Sequence, residues 1–281
     1  MKENVIFKSE EGRQKILSHY QSLLKCVPFS FRESMVDTSF GETYVLEAGK
    51  PDCPAILLLH GSCSNSAMWF GDMGTLAEQN HVLSVDILGE AGNSAAKRLN
   101  LNSDDYALWV RELMDSLSIH KAALMGNSYG GWIALKFATA FPERVSKIVL
   151  VATSGIAPVK PSFLLKTIFY AFRGKKGRNA MNRLVYGTSA IPEEVLKVTD
   201  IIMENFNPMV AALPIFGEER LKMLTMPVLY IAGENDVTVD AKKTAERIRR
   251  FMPCSVTILL ENHGHVVYDV MDRIIPFLQD G

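Results

Sequence analysis

Short apolar runs at 55–59, 82–85, 122–125, 148–151, 228–232 and 256–260 alternate with stretches of amphipathic, helix-length sequence. The runs are almost wholly apolar, broken only by Ser84 and Thr257, as in strands covered on both faces, and the stretches between them are long enough for crossover helices. The pattern predicts an α/β fold built on a mostly parallel, doubly wound sheet. Two elements precede it. Residues 9–25 read as an amphipathic helix, with Ser9 as N-cap, Glu10 and Glu11 in the first turn, and Ile16, Tyr20, Leu23 and Leu24 on one face. Residues 31–38 and 43–47, separated by Phe40 and Gly41, read as an antiparallel N-terminal hairpin that opens the sheet.

The alternation breaks between residues 156 and 224, where helix-like pieces are interrupted by Pro158, Pro161, Pro192, Pro208 and Pro214. An insertion of that length between two strands is expected to form a helical lid over the strand ends. The domain reading is therefore a core of residues 1–155 and 225–281 with a lid of 156–224. Phe163, Leu164, Ile168, Phe169, Tyr170, Met203, Phe206 and Met209 are candidates to line a substrate cavity, although apolar residues at such spacing more often pack a helix onto the body. The basic run from Arg173 to Arg178 reads as a solvated loop, with attraction to an anionic ligand or membrane surface as the sharper alternative.

Composition narrows the class of protein. With 281 residues, 48% hydrophobic and 22% charged, the chain can bury a full globular core. A net charge of −1 argues against a nucleic-acid partner, which calls for a strongly basic face. The amino end turns to charge too early for an export signal, and no apolar run approaches the ~20 residues that span a bilayer. Stable membrane insertion is not expected. Cys26, Cys53, Cys63 and Cys254 are scattered, with no paired spacing and no clustered histidines. They read as reduced thiols of a cytoplasmic protein, with no metal site and no cofactor. Cys63 is either a reactive thiol or a small apolar filler, the second being the commoner role.

Gly126-Asn127-Ser128-Tyr129-Gly130 follows the apolar run at 122–125 and precedes a helix-like segment. Strand, sharp turn and helix are the setting in which Gly-x-Ser-x-Gly makes a nucleophile elbow, with the serine hydroxyl projecting from the sheet. A serine needs a base to take its proton, and the base needs an acid to orient it. In such folds both follow the serine, acid first. Asp236, at the end of the run 228–232, is the candidate acid, with Glu234 and Asp240 as alternatives. The segment after 148–151 reads Ala152-Thr153-Ser154-Gly155 and offers no carboxylate. His265, after the run 256–260, is the candidate base and is expected to open a final helix, with His263 as the alternative. His19, His81 and His120 have no comparable setting. The oxyanion that forms on attack needs preset N–H donors, assigned to Tyr129, directly after the nucleophile, and to Ser62, in the loop after 55–59. His60 is expected to brace that loop.

Leu59-His60-Gly61 with Trp69, Val85-Asp86-Ile87-Leu88-Gly89 with Gly92-Asn93-Ser94, the elbow continuing into Gly131, Gly233 with Asp236, and Gly264-His265 together resemble the α/β-hydrolase superfamily over roughly residues 30–280. Phe40-Gly41-Glu42-Thr43 and Asp86-Ile87-Leu88-Gly89 are also similar to bacterial carboxylesterases of the naproxen-esterase type. That resemblance implies a cofactor-free serine hydrolase acting on small to medium apolar esters through an acyl-enzyme. Gly-Asn-Ser-x-Gly-Gly occurs as well in carbon–carbon hydrolases of aromatic ring cleavage, the runner-up. The Ser62-Cys63-Ser64-Asn65 loop lacks the glycine-rich run which that second resemblance leads one to expect. An acyltransferase or a slow-turnover receptor would share the same fold, and the motifs leave the oligomeric state open.

Overall fold

The computed structural model describes residues 5–171, 173–186 and 193–280, with no account of some side chains in the helices spanning 161–186. Eight strands form one sheet: β1 (Phe31–Val36), β2 (Thr43–Ala48), β3 (Ala55–Leu59), β4 (His81–Val85), β5 (Ala122–Asn127), β6 (Val145–Val151), β7 (Val228–Gly233) and β8 (Ser255–Leu260), in the order β1-β2-β4-β3-β5-β6-β7-β8. From β4 to β8 every neighbour is parallel, while β1 pairs antiparallel with β2, and β2 antiparallel with β4. Five of the six apolar runs are thus inner strands, the last, β8, is the far edge, and β1 of the hairpin is the near edge. Charged Arg32 and Glu33 lie exposed along β1, which discourages further pairing there.

The described residues also form ten α-helices: α1 (Glu10–Leu24), α2 (Phe70–Ala77), α3 (Asp105–Ser116), α4 (Tyr129–Ala140), α5 (Pro161–Ala171), α6 (Gly174–Tyr186), α7 (Glu193–Asn205), α8 (Glu218–Lys222), α9 (Ala241–Phe251) and α10 (Met271–Gln279). One face of the sheet is covered by α3, α4, α8 and α9, whose Trp109, Trp132, Leu221 and Ile248 share a core with Leu57, Leu124 and Tyr230. The other face is covered by α1, α2 and α10 through Tyr20, Met73 and Ile274 against Leu58, Met125 and Ile231. The Ser9 hydroxyl accepts the Gly12 N–H at 3.0 Å and caps α1, which buries Ile16, Tyr20 and Leu24.

The strand order reverses at β3, which has β4 on one side and β5 on the other. In doubly wound sheets the loops diverge at such a point and leave a crevice at the carboxyl ends of the strands. Leu59 lies level with Gly126, and Asn127 level with Val151, so the loops leaving β3, β5 and β6 emerge side by side.

The insertion between β6 and β7 folds as helices α5 to α8, tied to the body at several points. Val159 bridges Val239, Phe7 bridges Phe206, and the Lys8 N–H donates to the Asn205 carbonyl at 2.9 Å. Phe206 is buried with Ile6, Phe7 and Ile202, so it packs the insertion onto the N-terminal segment. Phe169 is 53% exposed, with its ring edge-on to Tyr170 at 5.3 Å between centroids. The side chains of Leu164 and Ile168, and the whole of Pro192, lie outside the described residues.

Two local expectations are corrected. The basic run is not a loop: Gly174, at φ 54°, makes the turn after α5, and the lysines and arginines that follow it open α6. Lysine and arginine are good helix formers, and the glycine supplies the one left-handed position needed. Nor does a helix start at His265; the last helix begins only at Met271. Asn262 and Asp269 hold left-handed backbone, at φ 60° and 57°, and the β-branched pair Val266 and Val267 favours an extended path.

Candidate active site

Ser128 joins β5 to α4 in a backbone conformation of φ 48° and ψ −104°, which costs a non-glycine residue on the order of 1–3 kcal/mol. Its surroundings hold it there. The Ser128 N–H donates to the Val151 carbonyl at 2.9 Å, and the Ser128 carbonyl accepts from Trp132 at 3.2 Å and Ser154 at 3.3 Å. The flanking glycines have a steric reason. A Cβ on Gly126 would stand 2.5 Å from the Gly130 carbonyl oxygen, and one on Gly130 would stand 2.0 Å from that of Leu59. Behind the turn, α4 is buried from Tyr129 to Thr139, so strain at the apex is carried by a packed helix.

The His265 imidazole reaches this serine from the loop after β8, with Nε2 at 3.1 Å from Ser128 Oγ. Its Nδ1 lies 2.7 Å from Asp236 Oδ2, in the loop after β7. A proton shared between Nδ1 and a carboxylate leaves Nε2 as the acceptor facing the hydroxyl. Asp236 is fully buried. Burial pushes its carboxyl pKa up, but the charge and hydrogen bond of His265, with the hydrogen bonds of Thr238, outweigh that and hold it below the ordinary value. The two loops are stitched together where the Glu234 N–H donates to Leu260 and the Asn235 N–H to His263, each at 3.0 Å.

The alternative residues are engaged elsewhere. Glu234 faces Lys242 at 3.7 Å, and Asp240 caps α9 by accepting the Lys243 N–H at 3.1 Å. His263 points its Nδ1 at the Glu261 carbonyl, 2.8 Å away. His81 pairs with Glu47 at 3.2 Å, far along the sheet from Ser128.

Tyr129 is the first residue of α4, where a backbone N–H has no acceptor within its own helix. Ser62 is exposed in the turn after β3. That turn is pinned from behind, because buried His60 donates Nδ1–H to the Gly61 carbonyl at 2.7 Å and accepts the Ile87 N–H on Nε2 at 2.9 Å. Burial lowers the His60 pKa against the opposing pull of Asp86, so the ring stays a neutral brace. Farther along the loop, the Cys63 N–H donates to Glu90 Oε2 at 2.7 Å. Half-buried Cys63 packs against the Ile6 and Phe206 cluster, and desolvation, helped by the Glu90 charge, pushes its thiol pKa up.

Thr238 is the residue that sequence reasoning missed. Its hydroxyl lies 2.7 Å from Asp236 Oδ1 and 2.7 Å from His265 Nδ1, and its N–H donates to the same Oδ1 at 2.7 Å. With its proton on the carboxylate, the hydroxyl oxygen is free to accept from Nδ1–H. The available signal was a hydroxyl residue two places after an aspartate, which favours this local turn.

The insertion also reaches the site. The Val185 carbonyl, in α6, accepts the His265 N–H at 3.0 Å. Lys160, just before α5, donates its N–H to the Thr238 carbonyl at 3.0 Å and its Nζ to the Asp236 carbonyl.

A family model of the alpha/beta hydrolase fold matches residues 54–271, a span that contains every residue of this arrangement. The chain belongs to that family. Within it, the chain is similar to carboxylesterase YbfK of Bacillus subtilis, 26% identical over 296 residues that cover 100% of this chain and 99% of the relative. The crystal structure of that protein superposes with a TM-score of 0.85 at 25% identity, covering 96% of this chain and 99% of the other. The crystal structure of naproxen esterase, also from B. subtilis, gives the same TM-score of 0.85 at 25% identity, covering 96% and 99%. A 2-hydroxy-6-oxononadienedioate/2-hydroxy-6-oxononatrienedioate hydrolase of Pseudomonas putida is 30% identical over 203 residues, which is 64% of this chain and 71% of that protein.

Proposed function

We propose that this chain is a serine carboxylesterase that hydrolyses small to medium apolar esters through an acyl-enzyme. The observation that carries the reading is the unbroken relay from Ser128 Oγ to His265 Nε2 at 3.1 Å, and from His265 Nδ1 to Asp236 Oδ2 at 2.7 Å. Full-length similarity to carboxylesterase YbfK and to naproxen esterase supports it. In this scheme Ser128 attacks the ester carbonyl as His265 takes its proton. The tetrahedral oxyanion is stabilised by the N–H groups of Ser62 and Tyr129. His265 then passes the proton to the leaving alcohol, and water, deprotonated by the same imidazole, releases the acid. Asp236 and Thr238 keep the proton on Nδ1, so that Nε2 is the basic nitrogen. Residues 156–224 serve as a lid on a core of 1–155 and 225–281. The free state of all four cysteines is consistent with a cytoplasmic setting.

A second reading, carbon–carbon hydrolysis of a ring-cleavage product, has the Pseudomonas relative in its favour. A panel of p-nitrophenyl esters of increasing chain length, with a ring-cleavage dienone included, separates the two. Repeated turnover of the esters and slow or no cleavage of the dienone is the expected outcome. Turnover of the dienone alone would transfer the site to the second reading, and an inert panel would refute both.

A further inference from the structure

We propose that α5 and α6 form a docking face for an anionic lipid bilayer, on which the chain binds reversibly at the membrane surface. Between Pro161 and Tyr186 the sequence carries Lys166, Arg173, Lys175, Lys176, Arg178 and Arg183 and no aspartate or glutamate. The nearest carboxylates on either side are Glu143 and Glu193. Six of the chain's 30 lysines and arginines fall in this segment, and no carboxylate within it offsets them. A segment so charged is drawn to an anionic surface. Charge alone would suit a nucleic acid or an acidic protein as well.

The apolar side chains on the same helix select the bilayer. Leu165 is 70% exposed and Phe169 53% exposed, and their spacing of four places both on one side of α5. Ser162 and Lys166 are exposed on that side, and Arg173 continues it, with its guanidinium 4.0 Å from the centre of the Phe169 ring. Projecting apolar groups set among long cations match a helix lying in the plane of a membrane. The leucine and phenylalanine enter the acyl boundary, and the cations stay with the headgroups. No helix among the described residues is long and apolar enough to cross a membrane, so the contact is with the surface.

The same two helices are bonded to the candidate active site. The residue that leads into α5, Lys160, holds the loop of Asp236 and Thr238, and Val185 of α6 holds His265. The docking face is therefore carried next to the mouth of the site, which points to acyl esters dissolved in the lipid phase as substrates. This last step rests on the esterase reading above.

The test is co-sedimentation of the full chain with vesicles of phosphatidylcholine alone and of phosphatidylcholine mixed with phosphatidylglycerol. Binding is expected only to the mixed vesicles, and it should weaken as salt is raised. The variant Arg173→Gln/Lys176→Gln should bind them roughly thirtyfold more weakly. Leu165→Ser/Phe169→Ser should also lose binding, while both variants keep wild-type turnover of p-nitrophenyl acetate. Equal binding to the two vesicle types, no binding to either, or full binding by either variant overturns the proposal. If the leucine and phenylalanine are dispensable but the cations are not, the face meets anionic vesicles by charge alone, and the apolar insertion that selects a bilayer is refuted. Sedimentation does not depend on catalysis. A chain that binds vesicles but turns over no ester refutes the esterase reading alone, and one that hydrolyses soluble esters but binds no vesicle refutes this inference alone.

Discussion

The two halves of the candidate site are built by different means. On the nucleophile side, β5, Ser128 and α4 are contiguous in the chain and buried against the core, and the turn is dictated by glycines that leave no room for a side chain. On the acid–base side, Asp236 and His265 stand on separate loops, β8 is only half-buried, and hydrogen bonds with Thr238, Lys160 and the Val185 carbonyl set the geometry. One half is held by packing, the other by a polar network. Networks of that kind lose function in a graded way, because each bond removed relaxes the orientation a little further.

The comparison is broken most severely at the imidazole. His265→Ala is expected to lower kcat by on the order of 10⁴ to 10⁶, because the serine loses its base, while His263→Ala stays close to wild type. Steady-state ester hydrolysis by the two variants decides it, and a damaging change at His263 would move the base. Asp236→Asn comes next, with a loss of about 10³ to 10⁴ from a mispositioned tautomer. Asp240→Asn should disturb only the cap of α9. Equal activity in wild type and Asp236→Asn would contradict the assigned acid.

Thr238→Val sharpens the comparison by removing one strand of the network. A roughly 10- to 100-fold fall in kcat with KM unchanged is expected, since only one of the two acceptors around Nδ1 is lost. Thr238→Ser keeps the hydroxyl and should restore the rate. If serine fails to rescue, the threonine acts through packing.

The smallest effect on rate is expected at Glu90, in the loop after β4, which anchors the Cys63 N–H at 2.7 Å. Burial raises this carboxyl to about 7 from 4.5, against the opposing Cys63 hydrogen bond and Arg98 charge. A folded-state pKa above the unfolded one means that the native chain binds the extra proton. Stability from this group is therefore present at low pH and declines as pH rises from about 4.5 to about 7, by on the order of 3 kcal/mol. Glu90→Gln should flatten the dependence of Tm on pH across that window. An unchanged profile would mean that Glu90 titrates like an exposed carboxyl.

The same contrast decides how much of the site is legible in the sequence. The elbow is local, so five consecutive residues between a strand and a helix were enough to locate Ser128. Asp236 and His265 were legible because parallel strands deliver their loops to one rim. Thr238 was not, since its role depends on a loop 27 positions away bringing the imidazole to its hydroxyl. The helical start of the basic run was hidden for a similar reason. A lone glycine marks a turn, but the sequence does not say whether the residues after it resume a helix.

The central claim is that Ser128 and His265, far apart in the chain, act as one catalytic unit. Its most direct test is a double-mutant cycle on kcat for a p-nitrophenyl ester. Ser128→Ala and His265→Ala should each remove nearly all of the rate, and the double variant should be no slower than either, because the first loss already disables the unit. Losses that multiply, or a single variant that keeps its rate, would contradict it.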